Sequence, residues 1–561
     1  MLAMRLSRLL FILSVIVIAF GISWLVITAP SSVDMTQYAP ADSLLYLECN
    51  DIQAVAQAIR QTTVWEQLAP LINDEPATNV WFLRLVRWTG LGRPELVIAS
   101  RAQVVVVVTN ISTISENETL RVRPDFALIV ETHTPAVRTK PVVEQLLSRY
   151  ARNAFGDAGF KSETKDNIEL MIWTAPDQRR RIIASVQGTV LTISNSESAI
   201  DACQEVRRGT RASLKSSTEL QSVRARLTSA NALAFGYVPA DKIGQLAAIA
   251  VPLVTRSDVL TSLPDDFVSR TASKLVRSVA WSASATSGQI EDRYEVALAP
   301  AVQSQLSSTL RPATLESVLL PQLAAKVDSI TVYRYENLFA AWQGLEMAFI
   351  SQLDALSAVM FQTFMKSVLL SYGIDDPQQF LRLLGREIYT VRASASSDQA
   401  VVIAEINSAS SVDNIVKAIE QSEIPAGDLR AGQILLFKQK DLAVALHDKY
   451  LLVGKPADVD FCLQHLSRTS ESAPQTDNAT TISTPPLAIT TSKDYRRVYE
   501  FIQAVAYLRD RADTLKDSQS EAIASRAYAV TETHLTQHGV ERRTKSPVGQ
   551  IGALVTLVAS P

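Results

Sequence analysis

A segment near the start of the chain recurs later, and this repeat limits the folds that the chain can adopt. Asp42–Arg60 reads DSLLYLECNDIQAVAQAIR, and at a constant offset of 286 residues a second copy begins at Asp328 as DSITVYRYENLFAAWQGLE. Each copy predicts a short strand, a polar break and a helix. The pattern indicates an internal duplication.

Later segments follow in the same order in both halves. RAQVVVVVT at Arg101 and FALIVET at Phe126 have counterparts in REIYTVRAS at Arg386 and AVVIAEI at Ala400, and 110–123 between the first two reads as a polar loop. Each half is expected to end in a pair of strands. These closing strands are 279–285 with 289–298 in the first half and 528–535 with 548–558 in the second.

Strand patterning predicts an α+β fold. Many strands alternate apolar and polar residues, and hairpin turns at 174–181 and 438–443 join neighbours. This pattern is typical of antiparallel sheet covered by helices, whereas the best alternative, a doubly wound fold, needs a helix between successive strands. Because 561 residues exceed one core, we expect two related lobes, at 41–310 and 311–561, with 467–486 as a mobile Ser/Thr/Pro loop.

The N-terminal region carries a membrane signal. Arg5 and Arg8 precede an apolar run, Leu9–Ala29, of 21 residues without a charged side chain. As a helix this run is about 30 Å long, which matches the hydrocarbon thickness of a bilayer. Because the run is longer than the apolar part of a cleaved signal peptide, which is the alternative, we expect residues 1–30 to form an uncleaved transmembrane anchor.

The flanking residues predict the orientation of this anchor. Arg5 and Arg8 would keep the short N-terminus in the cytoplasm, and Trp24 suits the outer interface. The expected protein is therefore a single-pass protein of the cytoplasmic (inner) membrane that contacts the lipid bilayer through residues 9–29. Residues 31–40 would be a short polar tether, and the bulk of the chain would be extracytoplasmic, in the periplasm.

The order of motifs carries a family resemblance. PADSLLYLECND, at residue 40, lies just beyond the apolar run and is followed by the Val-rich strand, FALIVET, and VLTISNSESAIDA before a helix. In this order the chain resembles a family of bacterial membrane-anchored extracytoplasmic proteins of uncharacterised function. The resemblance covers most of 38–300 and, more weakly, 326–465. It implies a location and a structural pattern, and it supplies no catalytic residues.

Composition and motifs give no support to cofactor or nucleic-acid binding. The net charge is -3, Gly is scarce at 19 residues, and neither G-x-x-x-x-G-K nor G-x-G-x-x-G occurs. Cys49, Cys203 and Cys462 are too far apart for C-x-x-C metal spacing and are expected to be buried. His534 and His538 have an i,i+4 spacing, but HLTQHGVERR predicts a strand entering a turn rather than a metal-binding helix.

Two kinds of surface feature remain as candidate binding sites. Basic clusters at 179–181, 207–215 and 542–545 are expected to be solvated, with anionic headgroups or an envelope polymer as the alternative partner. The segment from Leu338 to Tyr372 is apolar on more than one face, which indicates packing on two sides or a groove for a lipid or a partner helix. Its main stripe comprises Leu345, Phe349, Leu353, Leu356, Met360, Phe364 and Val368.

These features favour a non-enzymatic, membrane-tethered binding or scaffold ectodomain with an envelope protein as partner. A carrier or sensor of an apolar ligand such as a lipid is the second hypothesis. An extracytoplasmic hydrolase is the third, and it would require His, a carboxylate and a nucleophile within hydrogen-bond reach of one another. No catalytic, cofactor-binding or metal-binding residue is predicted.

Overall fold

The structure is a computed structural model of the 561-residue chain. It describes residues 31–72, 86–87, 93–116, 119–229, 231–254, 266–313, 323–324, 326–370, 372, 374, 377–397, 399–407, 434–438, 442–466, 485–508 and 515–559. The predicted anchor at 1–30 and nearly all of the predicted loop at 467–486 lie outside these residues. In the described part of the chain, no helix combines the length and the apolar character needed to cross a membrane.

The chain forms two compact units. The first contains the described residues up to Tyr237 together with Ser282–Ala285, and the second contains Val238–Trp281 and Thr286–Leu557. Each unit combines antiparallel strands with separate helices, as expected for an α+β fold.

The first unit begins with a 3-10 helix, Met35–Tyr38, within the predicted tether; Met35 and Thr36 of this helix are buried. Its strands are β1 (Leu45–Cys49), β2 (Gln103–Glu116), β3 (Thr119–Glu131), β4 (Gly159–Lys165), β5 (Ile168–Thr174), β6 (Arg181–Gln187), β7 (Val190–Ser194) and β8 (Ala232–Val238). Its helices are α1 (Ile52–Arg60), α2 (Thr63–Leu68), α3 (Pro94–Arg101), α4 (Ala136–Phe155), α5 (Glu197–Arg208) and α6 (Thr218–Leu227), with a 3-10 turn at Leu214–Ser216.

Antiparallel pairing gives the first unit the strand order β8-β1-β2-β3-β7-β6-β5-β4. The predicted polar loop at 110–123 is wrong, because β2 and β3 continue through it as one long hairpin. Strand β4, GFKSETK, was not predicted, because nearly all of its side chains are exposed and no apolar alternation marks it.

The second unit begins with a 3-10 turn, Ala240–Lys242, and α7 (Ile243–Val254). Its other helices are α8 (Phe267–Leu275), α9 (Pro300–Thr309), α10 (Leu338–Ile350), α11 (Ala355–Leu370), α12 (Pro377–Leu383), α13 (Pro456–Leu466), α14 (Tyr495–Leu508), α15 (Asp517–Ala524) and α16 (Gly549–Ala559). Its strands are β9 (Val276–Thr286), β10 (Gln289–Leu298), β11 (Ser329–Arg334), β12 (Leu384–Arg392), β13 (Val401–Ile406), β14 (Ile434–Lys438), β15 (Ala443–His447), β16 (Tyr450–Gly454), β17 (Ala488–Lys493), β18 (Tyr528–Leu535) and β19 (Gly539–Ser546).

The second unit repeats the strand order of the first. The run β17-β11-β12-β13-β16-β15-β14 corresponds, strand for strand, to β8-β1-β2-β3-β7-β6-β5. Strands β18 and β19 continue from β17, and β10 pairs with β19. The predicted strand at 548–558 is wrong, because these residues form α16; the strand that pairs with β18 is β19.

The core of each unit lies where apolar strand faces meet helices. In the first unit, Met171, Trp173 and Ala184 of the sheet pack with Val143 and Ala151 of α4. In the second, the sheet packs against α13 through a cluster that includes Val332, Tyr389, Ile403, Val459 and Cys462. Burial of these apolar side chains stabilises both units.

Candidate functional site

The predicted apolar stripe is divided between two helices. The chain leaves α10 at Ile350 and starts α11 at Ala355, where the Asp354 carboxylate accepts a hydrogen bond from Ser357 N at 3.0 Å. An aspartate in this position satisfies a free N–H group of a new first turn. Leu353 therefore lies in the break between the helices and not on a continuous helical stripe.

The α10 part of the stripe packs inside the second unit. Leu345 and Phe349 contact a buried cluster formed by α8, α9 and α10 residues, including Val302 and Leu306. Gly344 brings α10 close to α9, since a Cβ at this glycine would lie 1.9 Å from Thr309 Oγ1. These two stripe residues therefore serve internal packing.

Several apolar side chains of α10 and α11 are exposed instead. Met360 is half-buried, and Phe349 stacks on Phe361 with ring centroids 5.3 Å apart. The side chains of Phe364 and Val368 lie outside what the structure describes. The exposed apolar side chains on this helix pair are Met347 at 59%, Leu356 at 67%, Val359 at 60% and Leu370 at 53%.

A cleft of about 780 Å³ opens in the second unit, in a place that was not predicted. We name it the Gly385 cleft. None of the predicted stripe residues whose side chains the structure describes lines it. Its lining comes from the start of α10, the end of α12, the first residues of β12, the end of β13 and the turn before β16: Glu336, Asn337, Leu338, Phe339, Leu381, Arg382, Leu384, Gly385, Arg386, Glu405, Ile406, Asn407 and Lys449.

Local sequence explains why these residues meet. Asn337 caps α10, because its Oδ1 accepts a hydrogen bond from Ala340 N at 2.9 Å, and this places Leu338 and Phe339 in the first turn. Helix α12 passes directly into β12 at Leu384, without a connecting loop. The cleft therefore lies where the first turn of α10 and the last turn of α12 meet at the same end of the sheet.

Charged groups surround the cleft and are partly paired. Lys449 Nζ lies 2.6 Å from Glu405 Oε1, and Arg386 N donates to Glu405 Oε2 at 3.3 Å. The hydrogen bond to Glu405 raises the pKa of Lys449 above its ordinary value. The guanidinium of Arg382 lies 4.5 Å from the centre of the Phe339 ring.

The exposed guanidinium groups of Arg382 and Arg386 are the charged groups of the cleft that a ligand can reach. Among the described residues, no carboxylate forms an ion pair with Arg382 or Arg386. Glu405 is already engaged by Lys449, which leaves Glu336 as the other acidic group of the lining. The arrangement can therefore accept an anionic group, since guanidinium binds carboxylate in a planar, two-bonded geometry.

A second titratable group lies elsewhere in the second unit. Asp292 is buried; its Oδ1 accepts from Trp281 Nε1 at 2.9 Å, and its Oδ2 accepts from Gln550 N at 2.9 Å. Burial raises the pKa of Asp292 to about 6. Because it caps the first turn of α16 and fixes an indole, its role is structural.

The expected burial holds for two of the three cysteines. Cys203 and Cys462 are buried, Cys49 is half-buried, and burial raises the pKa of Cys49 to about 11 and that of the other two to about 12. His534 lies on β18 and His538 in the turn before β19, which confirms the predicted hairpin. The described residues contain no group of three or more His, Cys, Asp or Glu side chains placed to hold a metal ion.

Many of the clustered arginines take part in surface ion pairs. Arg180 pairs with Asp177, and Arg181 with Glu197 at 2.6 Å. Arg211 pairs with Asp42 and with Glu205. These contacts favour the solvated, locally paired interpretation of the basic clusters over binding of an anionic polymer.

No protein-family model, curated protein or solved structure matches the chain.

Proposed function

We propose that the protein is a single-pass protein of the cytoplasmic membrane whose extracytoplasmic part, two related lobes produced by duplication, works by binding a partner rather than by catalysis. The uncharged run at 9–29, after two arginines, supports the anchor and its orientation. The repeated strand order supports the duplication. The proposed relatives are bacterial membrane-anchored extracytoplasmic proteins of uncharacterised function.

The Gly385 cleft is the observation that carries the binding function. Its volume lies within the range of about 300–1,000 Å³ that is common for ligand pockets, and it combines apolar residues with a few charged groups. Among the described residues of its lining there is no His, Cys, Ser or Thr. These residues therefore do not supply a His, a carboxylate and a nucleophile within reach of one another, whereas they do supply groups for recognition.

Photo-crosslinking in intact cells tests this function. A photo-reactive amino acid would replace Phe339, at the start of α10, in the full chain with its own anchor; the same replacement at Val137, an 87% exposed residue of the first unit, is the control. We expect a discrete adduct from position 339 and none from 137. The proposal fails if position 339 gives no adduct, or only the pattern that position 137 gives.

The second candidate is a carrier or sensor of an apolar ligand such as a lipid, favoured by the exposed Leu356 and Val359 of α11. Native mass spectrometry of the detergent-purified chain tests it. A retained lipid that is lost on replacing both residues by Ser would support this function, and a lipid-free wild-type chain would exclude it. An extracytoplasmic hydrolase is the third candidate.

A further inference from the structure

The first unit has a place that corresponds to the Gly385 cleft. Thr132 N donates to Thr189 O at 2.9 Å, and Ile406 N donates to Lys449 O at 2.8 Å, so the two bonds are counterparts in the repeated strand order. Gln103 pairs with Glu131 across β2 and β3. Leu384 pairs with Ile406 across β12 and β13.

This pairing aligns the residues around the cleft. The register of β12 shifts between Leu384 and Ile388; counted from the Leu384–Ile406 pair, Gly385 lies beside Glu405 and corresponds to Gln103 beside Glu131. With the observed pairing, a glycine in the second unit stands where the first unit has a long amide side chain.

In the first unit, this place is filled by the chain itself. Gln103 Oε1 accepts from Val33 N at 2.8 Å, and Gln103 Nε2 donates to Val33 O at 3.0 Å, so the amide bonds both backbone polar groups of Val33. Tyr38 OH donates to Glu131 Oε2 at 3.2 Å. Residues 32–38 therefore occupy the end of the β2–β3 pair as a bound polypeptide segment.

In the second unit, residues 311–313 bond to the end of β11 and to the two residues that follow it. Ala313 N donates to Arg334 O, Glu336 N donates to Arg311 O, and Pro312 forms a bridge with Tyr335. None of residues 311–313 lines the cleft. At Gly385 a Cβ would lie 2.7 Å from Glu405 Oε2, so the glycine allows this carboxylate to fold over the strand.

We propose that the Gly385 cleft binds a carboxylate-bearing segment of a partner polypeptide, in the place where the first unit binds its own residues 32–38. The inference rests on the binding function proposed above and names the class of partner. The cleft offers Arg382 and Arg386 to the carboxylate and apolar contact from Leu338 and Phe339. Polypeptide is the occupant that this part of the fold already holds in its first copy.

Selection of peptides on the full chain tests the proposal. A phage-displayed library of random twelve-residue peptides would be selected on the detergent-purified chain and, in parallel, on the variant R382E/R386E. Arg526→Glu is the matched control, because Arg526 is an exposed arginine of the same unit that lies outside the cleft. Affinities of individual peptides would then be measured by fluorescence anisotropy.

We expect enriched peptides to carry Asp or Glu and to bind the wild type and R526E equally. The double variant should bind at least ten-fold more weakly, and amidation of the peptide carboxylate should have a similar effect. Peptides without acidic residues that still depend on the cleft would overturn the carboxylate inference and leave the binding function standing. The inference is overturned if no peptide is enriched on the wild type and lost on the double variant. Failure of the crosslinking at position 339 would separately overturn the binding function.

Discussion

Replacing Gln103 by Ala should release the N-terminal segment of the first unit. The Gln103 side chain bonds Val33 N at 2.8 Å, Val33 O at 3.0 Å and Asn50 Oδ1 at 3.0 Å, and it lies 3.1 Å from the ring of His133. Truncation removes all four contacts at once and leaves the backbone groups of Val33 without their partner.

The loss of stability can be sized from the two backbone groups of Val33 that lose their partner. A buried polar group without a partner costs about 1–3 kcal/mol. Because Val33 is only half-buried, water can replace part of the loss, and we expect a decrease of about 1–3 kcal/mol in the free energy that holds the segment in place. Amide exchange that proceeds through local opening should then be about 5-fold to 160-fold faster.

Hydrogen exchange of the full chain, followed by mass spectrometry, measures this opening. Gln37 N and Ala39 N report on the segment, since they bond Asp34 O and Thr36 O within it. Gln61→Ala is the matched control, because Gln61 is exposed in the same unit. Unchanged exchange at 35–39 in Gln103→Ala, or an equal change in the control, would refute the role of this amide as the binding group for the segment.

Three further predictions concern stability and location. Asp292→Asn removes a carboxyl group whose folded-state pKa of about 6 exceeds its ordinary 3.8. A raised pKa stabilises the fold at low pH, and this stabilisation is lost as pH rises, so the wild-type melting temperature should fall between pH 4 and 7 relative to the variant, by the equivalent of about 3 kcal/mol. Parallel pH profiles of the two proteins would contradict this. Gly344→Ala should destabilise the second unit by about 1–3 kcal/mol through contact with Thr309, and adding Thr309→Gly should recover part of the loss. A melting temperature of Gly344→Ala equal to that of the wild type would exclude the close helix contact. Val137→Cys should react with a membrane-impermeant maleimide in intact cells, while the three native cysteines react little because they are largely buried. Labelling that needs permeabilised cells would contradict the proposed orientation.

Features that depend on local pattern could be predicted from the sequence. The strand and helix at Asp42–Arg60 and Asp328–Glu346 are both present, with Asp51 and Asn337 as helix caps at equivalent positions. The offset of 274 residues between FALIVET and AVVIAEI agrees with the backbone bonds of Thr132 and Ile406. Amphipathic alternation and capping residues carry this information within a few residues of each other.

Features that depend on distant pairing could not be predicted in the same way. Side chains are mainly polar or exposed in the strand part of 110–123 and in all of β4, so no apolar period marks these strands in the sequence. They form strands because they pair with neighbouring strands. The segment 548–558 is apolar enough for a strand, but Asp292, far away in the sequence, caps it as a helix.

The Gly385 cleft shows the same limit for a site. Its key feature is the missing side chain at a position where the first unit has Gln103, and this contrast becomes visible only in the observed register of β12. The predicted stripe followed apolar composition, which marks Leu345 and Phe349 equally well for internal packing.

Hydrogen exchange of the full chain with and without a cleft-selected acidic peptide tests most directly whether the second unit binds a polypeptide where the first unit holds its own. We expect slower exchange at 384–388 and 401–407 on saturation, with no change at 103–108, where residues 32–38 already fill the equivalent place. Protection confined to other parts of the chain, or equal protection at 103–108, would contradict it.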